Sequence, residues 1–181
     1  MNKNNLEIAT LAGGCFWCIE AVLNKLKGVE KAISGYTAGK IKNPTYREVC
    51  SGLTGHAEAV EVHFNPEMIG YDILLKVFFS MHNPTTLNRQ GGDIGTQYRS
   101  AIFYHNLDQK EIAEKYIIEL ENQNIFGDKI VTEISPLEAF YPAEEYHQDY
   151  YNLNKEKNSY CSVVIDPKVN KIRKSYAHLL K

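Results

Sequence analysis

Two cysteines three residues apart close the run Gly13-Gly14-Cys15-Phe16-Trp17-Cys18. A thiolate is a strong nucleophile, and it forms most readily where a helix N-terminus stabilises negative charge. The glycine pair lets the backbone turn sharply and approach a ligand closely. Cys15 is thereby expected at the start of a helix, with its pKa below the free value of about 8.5. The inert alternative is a small buried cysteine in a tight turn. The glycines, the helix start and the second cysteine together favour a reactive Cys15. For Cys18 three readings arise: a redox partner on the first helical turn, half of a zinc site, or a core residue beside Val22. A zinc site needs a second close pair, and Cys50 and Cys161 are isolated in the sequence. The redox and core readings both stand.

Glu58 is the second residue with chemistry to offer. Residues 57–64 alternate, placing Glu58, Val60, Val62 and Phe64 on one strand face. A carboxyl on that apolar face is desolvated, its pKa rises, and it can hold a proton near neutrality, as a general acid must. At the strand end it can instead reach water. Both placements fit the pattern.

The elements that must position these residues follow from periodicity and turn signals. Residues 6–12 read as a strand. Residues 15–27 read as a helix with Phe16, Ile19, Leu23 and Leu26 on one stripe and Gly28 as its stop. Strands are expected at 29–36, 57–64, 100–104, 130–134 and 161–165. Helices are expected at 46–50, 72–81, 108–122 and 169–180, and a glycine-bearing loop at 87–98. Strands and helices mix without strict βαβ alternation, so the fold class is α+β, a mixed or mainly antiparallel sheet covered by helices. The 181 residues suit a single domain, with a polar, aromatic segment extending from about residue 142.

Composition narrows the function classes. The 20 Lys+Arg nearly balance 22 Asp+Glu, and a net charge of -2 gives no electrostatic reason to expect nucleic acid or an anionic membrane as partner. No run approaches the roughly 20 apolar residues of a membrane span, and the N-terminus lacks the apolar stretch of a signal peptide. A reducing cytoplasm is the expected setting, where four cysteines are catalytic or buried rather than a disulfide framework. His56, His63, His82, His105 and His178 read as surface or helix-end residues. Lys168, Lys171, Arg173 and Lys174 read as a solvated basic face.

Longer motifs carry a resemblance. GGCFW at 13–17, GYTAG at 35–39, NPTYREVCSGLTGHAEAVEV at 43–62, QGGDIGTQYRSAIFY at 90–104 and AEEYHQDYY at 143–151 resemble the A-type peptide methionine sulfoxide reductases, in order and across most of the chain. The resemblance implies a two-layer α+β sandwich with a ferredoxin-like core. It also implies reduction of the S epimer of methionine sulfoxide, free or in proteins, as repair after oxidative stress. It assigns Cys15 as nucleophile and Glu58 as proton donor. Tyr36 and Tyr98 would point their hydroxyls at the sulfoxide oxygen, with Asp93 orienting them. Phe16 and Trp17 would form the slot for the S-methyl group, and His147 would shape the site. Attack leaves a sulfenic acid on Cys15, which a thiol resolves.

The family usually has glycine at the position of Cys18, and many relatives carry resolving cysteines in a glycine-rich C-terminal tail that this chain does not show. Cys18 is therefore the first candidate resolver, with Cys50 and Cys161 behind it. The other route is direct attack by an external thiol, thioredoxin or glutaredoxin with glutathione. No metal or cofactor is expected. The alternative enzyme is a general thiol–disulfide oxidoreductase built on Cys15-x-x-Cys18. A zinc or protein-binding module ranks last, because it leaves the polar residues between 35 and 104 without a task.

Overall fold

The computed structural model describes residues 5–181. Its centre is a six-stranded sheet of β1 (Glu7–Gly13), β2 (Val29–Thr37), β3 (Ala57–Phe64), β6 (Ser100–Tyr104), β7 (Glu133–Pro136) and β8 (Phe140–Pro142), in the order β7-β6-β1-β3-β2-β8. Every neighbouring pair is antiparallel except β6 and β7. Helix α1 (Phe16–Leu23) joins β1 to β2, and α3 (Tyr71–Ser80) stands between β3 and β6. The four inner strands thus run β6-β1-β3-β2 in a βαββαβ chain order, the ferredoxin-like arrangement. A two-residue ribbon, β4 (Arg89–Gln90) with β5 (Asp93–Ile94), stands apart. The remaining helices are α2 (Tyr46–Cys50), α4 (Leu107–Asn122), α5 (Tyr150–Asn154) and α6 (Asp166–Ser175).

The two sheet faces are sorted by side-chain size. Leu11, Val60, Val62 and Ile102 point into the main core against α1 and α3. On the other face, Ala12, Ala57, Ala59, Ala101 and Phe103 form a thinner cluster covered by Leu137 and Phe140. Alternation along β3 therefore does what its sequence pattern predicts: Glu58 joins Val60 and Val62 on the helical face, and Glu58 is buried.

Three expectations need correction. Residues 161–165 are not a strand but a π-helical turn that runs into α6. Cys161 and Ile165 are buried while Ser162 and Val163 are exposed, the i,i+4 rhythm of a helix packed on one side. Helix α1 stops at Leu23 rather than near 27, because the Asn24 side chain turns away to accept the Ala32 N–H at 2.8 Å. His56 and His82 are buried rather than at the surface. His56 accepts the Gly39 N–H and sits 2.7 Å from the Ile41 carbonyl; His82 bonds the Phe78 carbonyl and the Ser100 hydroxyl at 2.8 Å each.

Candidate active site

The turn between β1 and α1 can be built only from glycine. A Cβ at Gly13 would come within 2.9 Å of Phe78 and 3.1 Å of His82. Gly14 has φ +95°, and a Cβ there would meet the Gln90 side chain at 2.7 Å. This turn delivers Cys15 to the N-cap of α1, with Cys18 one turn on and its N–H bonded to the Cys15 carbonyl at 3.1 Å.

The electrostatics differ from the sequence expectation for Cys15. The first free amide of the helix, that of Phe16, donates to Glu58 Oε2 at 3.1 Å, and the Cys15 thiol makes no capping bond. With Cys15 only 7% exposed, burial raises its pKa well above the usual thiol value, and Cys18 and Glu58 push the same way. Cys18 is held down at about 7 by the hydrogen bond from the Cys15 thiol, against the effect of burial, with help from Lys168 on α6. Within the pair the proton is therefore favoured on Cys15 over Cys18. Lys168 was expected on a solvated face; instead it serves this pair.

Glu58 behaves as its position demands. It is 1% exposed, and burial raises its pKa to about 8 against the lowering effect of the Phe16 amide, with Asp93 and Cys18 adding to the rise. It holds a proton at neutral pH beside the residue that follows Cys15. Register between β2 and β3 sets Tyr36 directly opposite Glu58. The Tyr36 hydroxyl, which the resemblance directs at the sulfoxide oxygen, donates here to Glu144 Oε1 at 3.0 Å. Glu144 also accepts the Tyr46 N–H at 3.2 Å and the Tyr146 hydroxyl at 2.8 Å. Burial opposes its charge, but these donors outweigh it and lower its pKa.

The other expected residues gather around the same centre. Asp93 Oδ2 accepts the Tyr160 hydroxyl at 2.7 Å, and Tyr160 stands near enough to Cys15 to work against the rise in its pKa. The Tyr98 pKa is raised by burial and by Glu58, Cys50, Asp93 and Cys15, which places it among them. Phe16 is fully buried with its ring 5.3–6.4 Å from Trp17, Tyr36, Tyr46 and His147. Trp17 is half-buried and stacks on Tyr150, ring centroids 3.7 Å apart and planes within 6°. Its indole N–H donates to His147 Nδ1 at 3.1 Å, so the His147 proton sits on Nε2, which has no partner.

Four residues escaped the sequence reading: Tyr46, Glu144, Tyr160 and Lys168. Tyr46 and Glu144 lie inside the motifs that carry the resemblance, so only their roles were missed. Tyr160 and Lys168 lie beyond them, off the buried stripe of Cys161, Ile165, Val169 and Ile172. Among the described residues no group of three or more His, Cys, Asp or Glu side chains is placed to hold a metal ion, and no helix is long and apolar enough to cross a membrane.

Comparison with known proteins agrees with this arrangement. The family model described as peptide methionine sulfoxide reductase matches residues 7–180. A peptide methionine sulfoxide reductase MsrA of Chromobacterium violaceum is 52% identical over 97% of this chain and 99% of its own. Mxr1 of Saccharomyces cerevisiae in reduced form superposes with a TM-score of 0.76 at 38% identity, over 87% of this chain and 90% of that one. The same yeast protein in complex with Trx2 gives a TM-score of 0.54 at 30% identity, over 82% and 87%. Motifs, sheet order and sequence identity converge, and the chain belongs to the peptide methionine sulfoxide reductase family, A type.

Proposed function

We propose that this chain, acting as one catalytic unit, reduces the S epimer of methionine sulfoxide, free or in proteins, with Cys15 as nucleophile and Glu58 as proton donor. The observation that carries the assignment of roles is Glu58 itself: buried, protonated at neutral pH, and bonded to the amide next to Cys15. A sulfoxide oxygen leaves poorly unless it gains a proton. Cys15 attacks the substrate sulfur as its own proton passes to Cys18, and Glu58 protonates the oxygen. A Cys15–substrate S–S bond forms as the protonated oxygen departs as hydroxide; hydroxide then adds to the Cys15 sulfur, the S–S bond breaks with its electron pair going to the substrate sulfur, and methionine leaves with a sulfenic acid on Cys15. Tyr98 helps hold the oxygen, joined by Tyr36 when its hydroxyl turns from Glu144 to the substrate, with Asp93 and Tyr160 fixing the far side. Phe16 and Trp17 line the methyl slot and His147 sets the Trp17 ring.

Cys18 resolves the intermediate. Its sulfur attacks the Cys15 sulfenic acid, water leaves, and a disulfide forms that an external dithiol reduces. The closeness of the two thiols and the low pKa of Cys18 support this. The yeast Mxr1–Trx2 complex supports thioredoxin as reductant, with glutaredoxin and glutathione as the other route. Four free cysteines fit a reducing compartment such as the cytoplasm. A general disulfide oxidoreductase would give a protonated Glu58 nothing to do.

The test is a single turnover without added reductant, on a peptide bearing methionine-S-sulfoxide. Wild type should yield about one methionine per chain and Cys15→Ser none. The spent wild type should carry a disulfide by mass spectrometry, and Cys18→Ser a trappable sulfenic acid. No methionine from wild type would overturn the reading.

A further inference from the structure

Glu20 is a buried acid that the chemistry above does not use. It lies on α1, one helical turn beyond Trp17, and is 3% exposed. A carboxyl in such a place is costly unless donors satisfy it. Its Oε1 accepts the Asp149 N–H at 2.9 Å, the Tyr150 N–H and the Ser34 hydroxyl stand beside it, and among the described residues the charge facing it closely is the Asp149 carboxylate. Asp149 is itself unusual. It holds φ +51° and ψ +31°, the left-handed region that non-glycine residues avoid. Its neighbours are tied down on both sides: Gln148 exchanges hydrogen bonds with the Ser34 N–H and carbonyl at 3.0 and 2.9 Å, His147 takes the Trp17 indole proton, and Tyr150 stacks on the same indole.

We infer that Glu20 is a positioning residue, the clamp that holds the strained turn at Asp149 so that His147 and Tyr150 grip the two sides of Trp17. Helix α1 thereby carries both the nucleophile at its start and, one turn past Trp17, the anchor for the wall that faces the nucleophile. The consequence for catalysis rests on the proposed role of Trp17 in binding the substrate. Loss of the clamp loosens the binding wall and leaves Cys15, Glu58 and their chemistry in place.

The sequence contains one tryptophan and 12 tyrosines, so fluorescence excited at the red edge, beyond tyrosine absorption, reports on Trp17 alone. Glu20→Ala should shift Trp17 emission and raise KM for the sulfoxide peptide about tenfold, with kcat within about threefold of wild type, the scale of leaving buried donors unpaired. A fall in kcat with KM and emission unchanged, or no change in any of the three, overturns the clamp. If the alanine variant does not fold, Glu20→Gln decides: a shifted emission with KM raised about threefold supports the clamp, and wild-type values overturn it. Should wild type itself produce no methionine, the proposed activity fails, and Trp17 emission still decides on the clamp.

Discussion

The Phe16 amide donates to Glu58 Oε2 at 3.1 Å, so the acid of the site is bonded to the backbone that begins the nucleophile's own helix. A carboxylate at a helix N-terminus is ordinarily stabilised in its charged form. Here burial outweighs that effect and raises the pKa to about 8. One hydrogen bond thus fixes where the proton is delivered, and the dry surroundings ensure that there is a proton to deliver.

Rate should follow the proton on Glu58. Turnover is expected to fall as pH rises through about 8, where the acid form is lost. Glu58→Gln keeps the shape and should cut kcat about a hundredfold, the scale of general acid catalysis, and remove that limb of the profile. Steady-state rates across pH measure both. Wild-type turnover in the variant would take the proton-donor role away.

The same group sets a stability slope. Its folded pKa lies above the unfolded carboxyl value of 4.5, so its contribution is full below pH 4.5 and is lost as pH rises through about 8. Glu58→Gln should match the wild-type Tm at pH 4.5 and exceed it above pH 8. The excess should be several degrees, since one pKa unit is about 1.4 kcal/mol. Calorimetry at the two pH values checks the sign, and an excess at the acidic end would contradict it.

Charge on Cys18 should depend on Lys168. The Cys18 pKa is lowered to about 7 by the Cys15 thiol and by Lys168. Lys168→Met is expected to move the thiolate titration, followed by ultraviolet absorbance, to higher pH, and to slow disulfide formation at neutral pH. A titration unchanged from wild type would show that Cys15 alone sets the pKa.

Tyr160 bonds Asp93 and stands near Cys15. Tyr160→Phe removes one hydroxyl, leaves the Asp93 carboxylate short of a donor, and should slow the single-turnover step roughly tenfold with little loss of Tm. Stopped-flow mixing with substrate measures the step. An unaltered rate would reduce Tyr160 to packing.

The span of β3 follows from alternation, because that signal is local. Cys15 and Glu58 were legible for the same reason: a glycine turn before a helix, and a polar residue on an apolar strand face. The region after residue 142 was not. Its run Ser-Tyr-Cys-Ser-Val-Val-Ile is β-branched and reads as a strand, yet packing of Cys161 and Ile165 makes it helical. Tyr160 and Lys168 gain their roles from packing beside α1, and Glu144 from its bonds to Tyr36 and Tyr46, all contacts distant in sequence. The low pKa expected of Cys15 failed similarly, because burial raises it and Cys18 and Glu58, brought in by the fold, push the same way.

Glu144, His147, Tyr160 and Lys168 all come late in the chain, while Cys15 and Glu58 come early. A ribosome reaching residue 142 has made the nucleophile and the acid, but nothing yet to enclose them. Such a nascent chain carries an open thiol pair without the lysine that lowers the Cys18 pKa or the tyrosine that stands near Cys15. The order of the chain therefore makes the enclosing wall the last part of the site to exist, and the thiol pair takes its final surroundings only when the stretch from 144 to 168 has packed against the elements that precede it.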